Sequence, residues 1–228
     1  MRNQRRVLIF GKIDYINLLP FHIFLKKESL QNSFKQSIAY KQSYPSRLNK
    51  MLKNRKIDAA FISSIASANR NFKTIKAGIV AKKSVQSVII KPGVSKKDPH
   101  SATSNILADI LNLKGEVIIG DTALKAYLNN KESYIDLAKV WTEKYNLPFV
   151  FARLSVNKNY SFYKKIGTKF TNKKIFIPRY ILNDYAKKRD VKTEDIIQYL
   201  KHLSYKIDKK AQAGLDLFLK KSRLKKIF

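Results

Sequence analysis

Ile57-Asp58-Ala59-Ala60-Phe61-Ile62-Ser63-Ser64 is the stretch on which the fold turns. Its apolar run has the length of a strand and the continuity of one buried on both faces, and it ends in two hydroxyls. Upstream, Leu48, Met51 and Leu52 recur at i, i+3 and i+4, which predicts an amphipathic helix. Residues 37–44 predict a strand punctuated by Pro45, and residues 18–25 a helix with Pro20 in its first turn, where proline is tolerated. Val7-Leu8-Ile9-Phe10 is a first short apolar strand. Strand, helix, strand, helix, strand is the order of a parallel α/β sheet.

Downstream the pattern starts again. Ser84-Val85-Gln86-Ser87-Val88-Ile89-Ile90 reads as a strand, and Pro92-Gly93 breaks it. Ile106, Leu107, Ile110 and Leu111 form a helical stripe, Val117-Ile118-Ile119 a buried strand, and residues 122–128 a further helix. Pro148 opens a strand at Phe149-Val150-Phe151-Ala152. Beyond Asn157 the chain reads as helical to its end, with a helix start at Thr193-Glu194-Asp195 and a last stripe of Leu215, Phe218 and Leu219. Two β/α units closed by helices predict an α/β, two-lobed clamshell. Residues 1–88 and 155–228 would make one lobe and 89–154 an unusually short second one. A ligand would sit in the crevice at the strands' carboxyl ends.

Composition narrows the chemistry. The 228 residues include no cysteine and only His22, His100 and His202. Thiolate metal sites and cysteine nucleophiles are thereby excluded, and no metal is expected. The formal charge of +31 invites a nucleic-acid reading. The lysines, however, are spread along the whole chain with no RNP, zinc-finger or glycine-rich aromatic motif beside them, so they read as solvated surface and no specific nucleic acid is expected. No run of apolar residues is long enough to cross a membrane, and the N-terminal one is too short for a secretory segment. The expected location is the cytoplasm.

Three loops carry candidate chemistry. In Gly11-Lys12-Ile13-Asp14-Tyr15-Ile16-Asn17-Leu18-Leu19-Pro20, between a strand and a helix, Asn17 offers an amide donor and acceptor to a ligand; it could equally cap the helix, and Asp14 and Tyr15 could be turn and packing residues. Ser101-Ala102-Thr103-Ser104 precedes a helical stripe, where free N–H groups and hydroxyls form an anion cradle or simply a cap. In Ile118-Ile119-Gly120-Asp121-Thr122-Ala123-Leu124, Asp121 is expected to cap the following helix at the border of the crevice. Ser63, Ser64, Ser84 and Ser87 end or line strands there, suggesting a neutral, hydroxyl-rich pocket for a small anion. No Ser-His-Asp set, carboxylate pair, P-loop or dinucleotide fingerprint can be assembled.

Taken in order, GKIDYINLLP (11–20), IDAAFISS (57–64), SVQSVII (84–90), SATS (101–104), IIGDTAL (118–124) and DLAKVWTEKYNLPFVFA (136–152) resemble the chorismate dehydratases of the futalosine route to menaquinone. The resemblance implies a periplasmic-binding-protein-like (type II) fold with mixed sheets, and cofactor-free loss of water from chorismate, a dicarboxylate, to give 3-[(1-carboxyvinyl)oxy]benzoate. It places Asn17 at the reacting ring carbon or leaving hydroxyl, Thr103 and Ser104 on a carboxylate, and Ser64, Ser84 and Ser87 as further contacts. Tyr15, Ser63 and Asp121 complete the substrate-binding set. No histidine or glutamate in these motifs is an obvious base, which points to a carboxylate of the substrate. Leu107 and Ile118 stand closer together than is usual in that family, which predicts either a reduced sheet in the second lobe or a more open cleft.

Overall fold

The computed structural model describes residues 8–28, 30 and 32–224. The chain runs through β1 (Phe10–Gly11), a 3-10 turn (Ile16–Leu18), α1 (Leu19–Lys27), α2 (Asn32–Tyr40), α3 (Pro45–Lys53), β2 (Ala59–Ser63), α4 (Ser64–Ser67) and β3 (Lys73–Ala81). It continues through β4 (Val88–Pro92), α5 (Ala102–Leu111), β5 (Gly115–Ile119), α6 (Gly120–Asn129), β6 (Ile135–Asp136) and α7 (Leu137–Tyr145). It closes with β7 (Phe149–Val156), α8 (Tyr160–Thr171), α9 (Arg179–Arg189), α10 (Thr193–Lys201), β8 (Leu203–Lys206) and α11 (Lys209–Leu224).

Two sheets organise these elements: five strands in the order β1-β2-β7-β3-β8, and three in the order β5-β4-β6. Pairing is mixed, as the resemblance implied. The β1–β2 pair is parallel, whereas β2–β7, β3–β7, β3–β8 and both pairs of the smaller sheet are antiparallel. The wholly parallel sheet suggested by the strand-helix alternation is therefore corrected. The chain leaves the larger sheet after β3 and returns to it at β7. The expected lobe boundary at residues 154/155 thus falls inside β7, a strand of the larger sheet that starts at Phe149.

Burial explains the larger sheet. Every residue of β2 is buried, and α3 lies against it with Leu48 and Leu52 fully inaccessible. The approach is so close that a Cβ on Gly11 would meet Ile57 Cδ1 at 2.7 Å and Leu48 Cδ2 at 2.8 Å. Phe21 of α1 stands edge-on to Phe61 at 5.0 Å and Phe170 at 4.9 Å, and Phe149 packs on Phe218 at 4.9 Å. Such tilted rings add to the area they bury.

Three sequence readings are corrected. Residues 37–44 do not make a strand: α2 ends at Tyr40. Phe34, buried against Phe162 at 5.4 Å, fixes the helix, and only a bridge from Gln42 to Lys12 remains extended. Lys73–Ala81, unmarked because lysines and small residues interrupt its pattern, is a central strand. The supposedly all-helical end contains β8, an edge strand on β3. The first strand, expected at residues 7–10, is observed at Phe10–Gly11, and Val7 lies outside the described residues.

Candidate active site

The loop from β1 to α1 alternates inward anchors with outward groups. Ile16 and Leu18 are buried to 0% and 1% exposure, so the side chains between them turn the other way. Tyr15, Asn17 and Ile13 line a cavity between the two sheets, together with Ser63, Ser87, Ser101 and Ser104 and an apolar wall that includes Ile79, Ile119 and Phe151. The loop is fixed from several directions. Asp121 Oδ1 accepts the Ile16 N–H at 2.9 Å, and the Tyr205 hydroxyl donates to the Asn17 carbonyl at 2.6 Å. The Tyr15 ring lies over Gly120, where a Cβ would come within 2.8 Å of Cζ. Gly120 also has φ +72°, so glycine satisfies both the backbone and the ring.

Asn17 neither caps the 3-10 turn, whose N-cap is Tyr15, nor α1, whose N-cap is Leu18. The capping alternative is set aside. Its side chain reaches the Tyr199 hydroxyl, but its Oδ1 is buried without a hydrogen-bond partner among the described residues, an uncommon state for a buried carboxamide oxygen. In a cavity-lining side chain this is an acceptor left for a ligand.

The serines divide. On the second wall Ser101 caps α5: its Oγ accepts the Ser104 N–H at 3.3 Å and its hydroxyl donates to Ser104 Oγ at 2.6 Å. Ser104 keeps its own proton to donate. Ser87 Oγ lies 2.8 Å from the Tyr199 hydroxyl. Ser63, the cap of α4, accepts from the Ala66 N–H at 3.3 Å and from Asn49 Nδ2 at 3.1 Å, so its proton too is free.

Four expected contacts point elsewhere. Ser64 donates to the Val150 carbonyl at 2.5 Å, and Thr103 Oγ1 accepts the Ile65 N–H at 3.2 Å. Ser84 pairs with His202 Nδ1 at 3.0 Å. Asp121 does not cap α6; its oxygens are taken by Ile16 and by Arg189 Nε. These groups hold the frame of the cleft, and none of them lines the cavity. Conversely, Ser101 lies in a motif visible in sequence, while Asn49, Arg189 and Tyr205 support the lining from positions whose sequence context carries no signal.

Electrostatically the cavity is neutral. Among the described residues, no lysine, arginine or carboxylate lines it. Tyr15 is the titratable exception, and burial, with Asp98 and Asp121 nearby, pushes its pKa up to about 12, so it remains a phenol and a donor at neutral pH. The Tyr199 hydroxyl is likewise raised by burial. Such a site offers amide and hydroxyl hydrogen bonds and the N-terminus of α5 to an anion, and contains no ready base. The cavity measures about 60 Å³, far below ordinary small-molecule sites, so ligand access requires its walls to part. At its rim Tyr44 stacks on His100 at 4.5 Å and Ser46 Oγ lies 3.4 Å from His100 Nδ1, joining the segments that lead into α3 and α5.

Solved structures share this architecture. A protein from Archaeoglobus fulgidus superposes with a TM-score of 0.70 at 13% identity, over 97% of this chain and 98% of that one. The periplasmic aliphatic sulphonate binding protein of Escherichia coli follows at 0.56 and 13%, over 96% and 87%. At such identities the likeness is one of fold, periplasmic-binding-protein-like. Among the described residues no helix is long and apolar enough to cross a membrane. The sequence comparisons go further. A chorismate dehydratase of Campylobacter jejuni subsp. jejuni serotype O:23/36 (strain 81-176) is 52% identical over 215 residues, covering 93% of this chain and 96% of that protein. A family model described as menaquinone biosynthesis matches residues 8–115 and 95–223. With nearly its whole length matched by that relative and that family model, the chain belongs to the menaquinone biosynthesis family.

Proposed function

We propose that this protein is a chorismate dehydratase, a hydro-lyase that converts chorismate to 3-[(1-carboxyvinyl)oxy]benzoate and water. The observation that carries the reading at the site is the partnerless carboxamide oxygen of Asn17, set in a cleft without charged side chains. The 52% identity to a chorismate dehydratase supplies the substrate.

The chemistry fits what the cleft offers. A proton leaves the ring carbon bearing the enolpyruvyl ether, hydroxide leaves the adjacent carbon, and the ring becomes aromatic. The step is redox-neutral and needs no electron carrier. Asn17 holds the leaving hydroxyl, its Oδ1 accepting and its amide donating as charge develops on that oxygen. Ser104, oriented by Ser101, and the free N-terminal amides of α5 take a carboxylate; Ser63, Ser87 and the Tyr15 phenol complete the cradle. With Tyr15 kept protonated, the base is a carboxylate of the substrate itself, held in reach by the folded geometry of the bound ring.

Incubating purified protein with chorismate and separating products chromatographically tests the reading. The expected result is the benzoate product in step with chorismate loss. Tight binding without product would instead make this a small-anion binding protein, the role for which its fold is used in the sulphonate binding protein.

A further inference from the structure

One charged cluster lies behind the cleft and touches the loop at its backbone. Arg189, the last residue of α9, is only 13% exposed in its side chain and is not a lining residue of the cavity. Its Nη2 donates to the Asp14 carbonyl at 2.7 Å and lies 3.4 Å from Asp14 Oδ2, while its Nε donates to Asp121 Oδ2. The other oxygen of Asp121 accepts the Ile16 N–H. Tyr185 donates to Asp14 Oδ1 at 3.2 Å, and its ring carries the guanidinium at 4.3 Å. One planar cation therefore sets, directly or through Asp121, the backbone on both sides of Tyr15 and immediately before Asn17. It also ties the start of α6 to that loop.

We infer that Arg189 is a positioning residue for the dehydration: through Asp14 and Asp121 it fixes the register of Tyr15 and Asn17 without touching substrate. The inference rests on the dehydratase reading above. A guanidinium is needed because two bonds diverge from one rigid plane; a lysine ammonium is a point charge that can satisfy only one partner in that geometry. Misplacing a reacting group by about 1 Å costs on the order of 10²-fold in rate, so the loss should appear in turnover more than in binding.

The test is steady-state kinetics on chorismate with R189K, R189A and D121N. Asp121→Asn keeps an acceptor for Ile16 while breaking the charged link to Arg189. R189K and D121N are expected to lower kcat by roughly 10- to 100-fold with KM within about threefold, and guanidinium ion is expected to restore part of the R189A loss. Asp190→Asn, which breaks the neighbouring exposed pair with Lys125, is the control and should turn over normally. The inference is overturned if R189K keeps kcat within twofold of the native protein. It is equally overturned if the losses match only the fraction of unfolded protein seen by circular dichroism and guanidinium restores nothing. A native protein that does not consume chorismate sinks the dehydratase reading instead, so the two failures are distinct.

Discussion

The two walls of the cleft are held by opposite means. The wall formed by the β1–α1 loop is wired by charge: Lys12, Asp14, Asp121 and Arg189 bind one another and the backbone around Tyr15. The facing wall, Ser87 with Ser101 and Ser104, is held by hydroxyls, a helix cap and the Tyr199 phenol. Yet both present only neutral groups to the cavity. In a chain of formal charge +31, charges near the site are spent on position, and recognition is left to amides and hydroxyls. A neutral lining binds an anion without a tight ion pair and leaves a substrate carboxylate basic enough to take a proton.

The largest effect expected from breaking this division is at Asn17. Asn17→Ala removes a cavity-lining side chain with a buried, unpartnered acceptor, and should lower kcat by roughly 10²- to 10³-fold, as loss of one preorganised polar group at a developing oxyanion does. Full turnover by the variant on chorismate would remove Asn17 from the chemistry. The carbonyl bond from Tyr205 and the burial of Ile16 and Leu18 should keep the fold intact.

The same wall hides a histidine that the chemistry does not use. His22 of α1 is buried with both ring nitrogens unpartnered; burial first, and Lys12 next, depress its pKa from 6.5 to about 3. Below pH 6.5 the unfolded chain takes up a proton that the folded chain refuses, so stability is complete above pH 6.5 and falls as the pH drops toward 3, by about 1.4 kcal/mol per pH unit. Urea titrations of the native protein and His22→Leu across that window should diverge by this slope, the variant being flatter. Parallel curves would mean that the protonated ring finds a hydrogen-bond acceptor or water in the folded state.

How much of this was legible in the sequence follows from where each signal resides. β2 and the loops around Asn17, Ser101 and Gly120 could be placed because local patterns, apolar runs and turn residues are sequential. β3 could not: Lys73, Lys76, Ala77 and Gly78 dilute its apolar run, and it becomes a strand because β7 and β8 flank it. Residues 37–44 misled for the converse reason, since the helix is fixed upstream by Phe34. The serines show the same limit at the site. Ser64, Ser84, Ser87 and Ser104 look alike in sequence, and only the partner each meets in three dimensions separates lining from frame. Arg189 lies 68 residues from Asp121, beyond any local pattern.

That separation gives a smaller, paired prediction. Ser104→Ala should raise KM for chorismate by about tenfold, the worth of one hydrogen bond to a charged group, with the melting temperature little changed. Ser64→Ala should do the reverse: it strands the Val150 carbonyl, costing about 1–3 kcal/mol of stability and leaving KM alone. If Ser64→Ala raised KM while its unfolding curve stayed put, the assignment of lining and frame would have to be exchanged.

The smallest effect concerns the lysines that neither wall uses. Because none lines the cavity, they act on a dianionic substrate only at long range, by raising its concentration near the surface, an influence screened over about 10 Å at 0.1 M salt. Raising ionic strength from 0.02 to 0.5 M should therefore lower kcat/KM by about two- to threefold through the association step, with kcat itself unchanged. Stopped-flow and steady-state measurements on chorismate distinguish the two parameters. A fall in kcat with salt would place a charged group in the reacting cleft after all, and the contrast between a wired wall and a neutral lining would fail at its most general point.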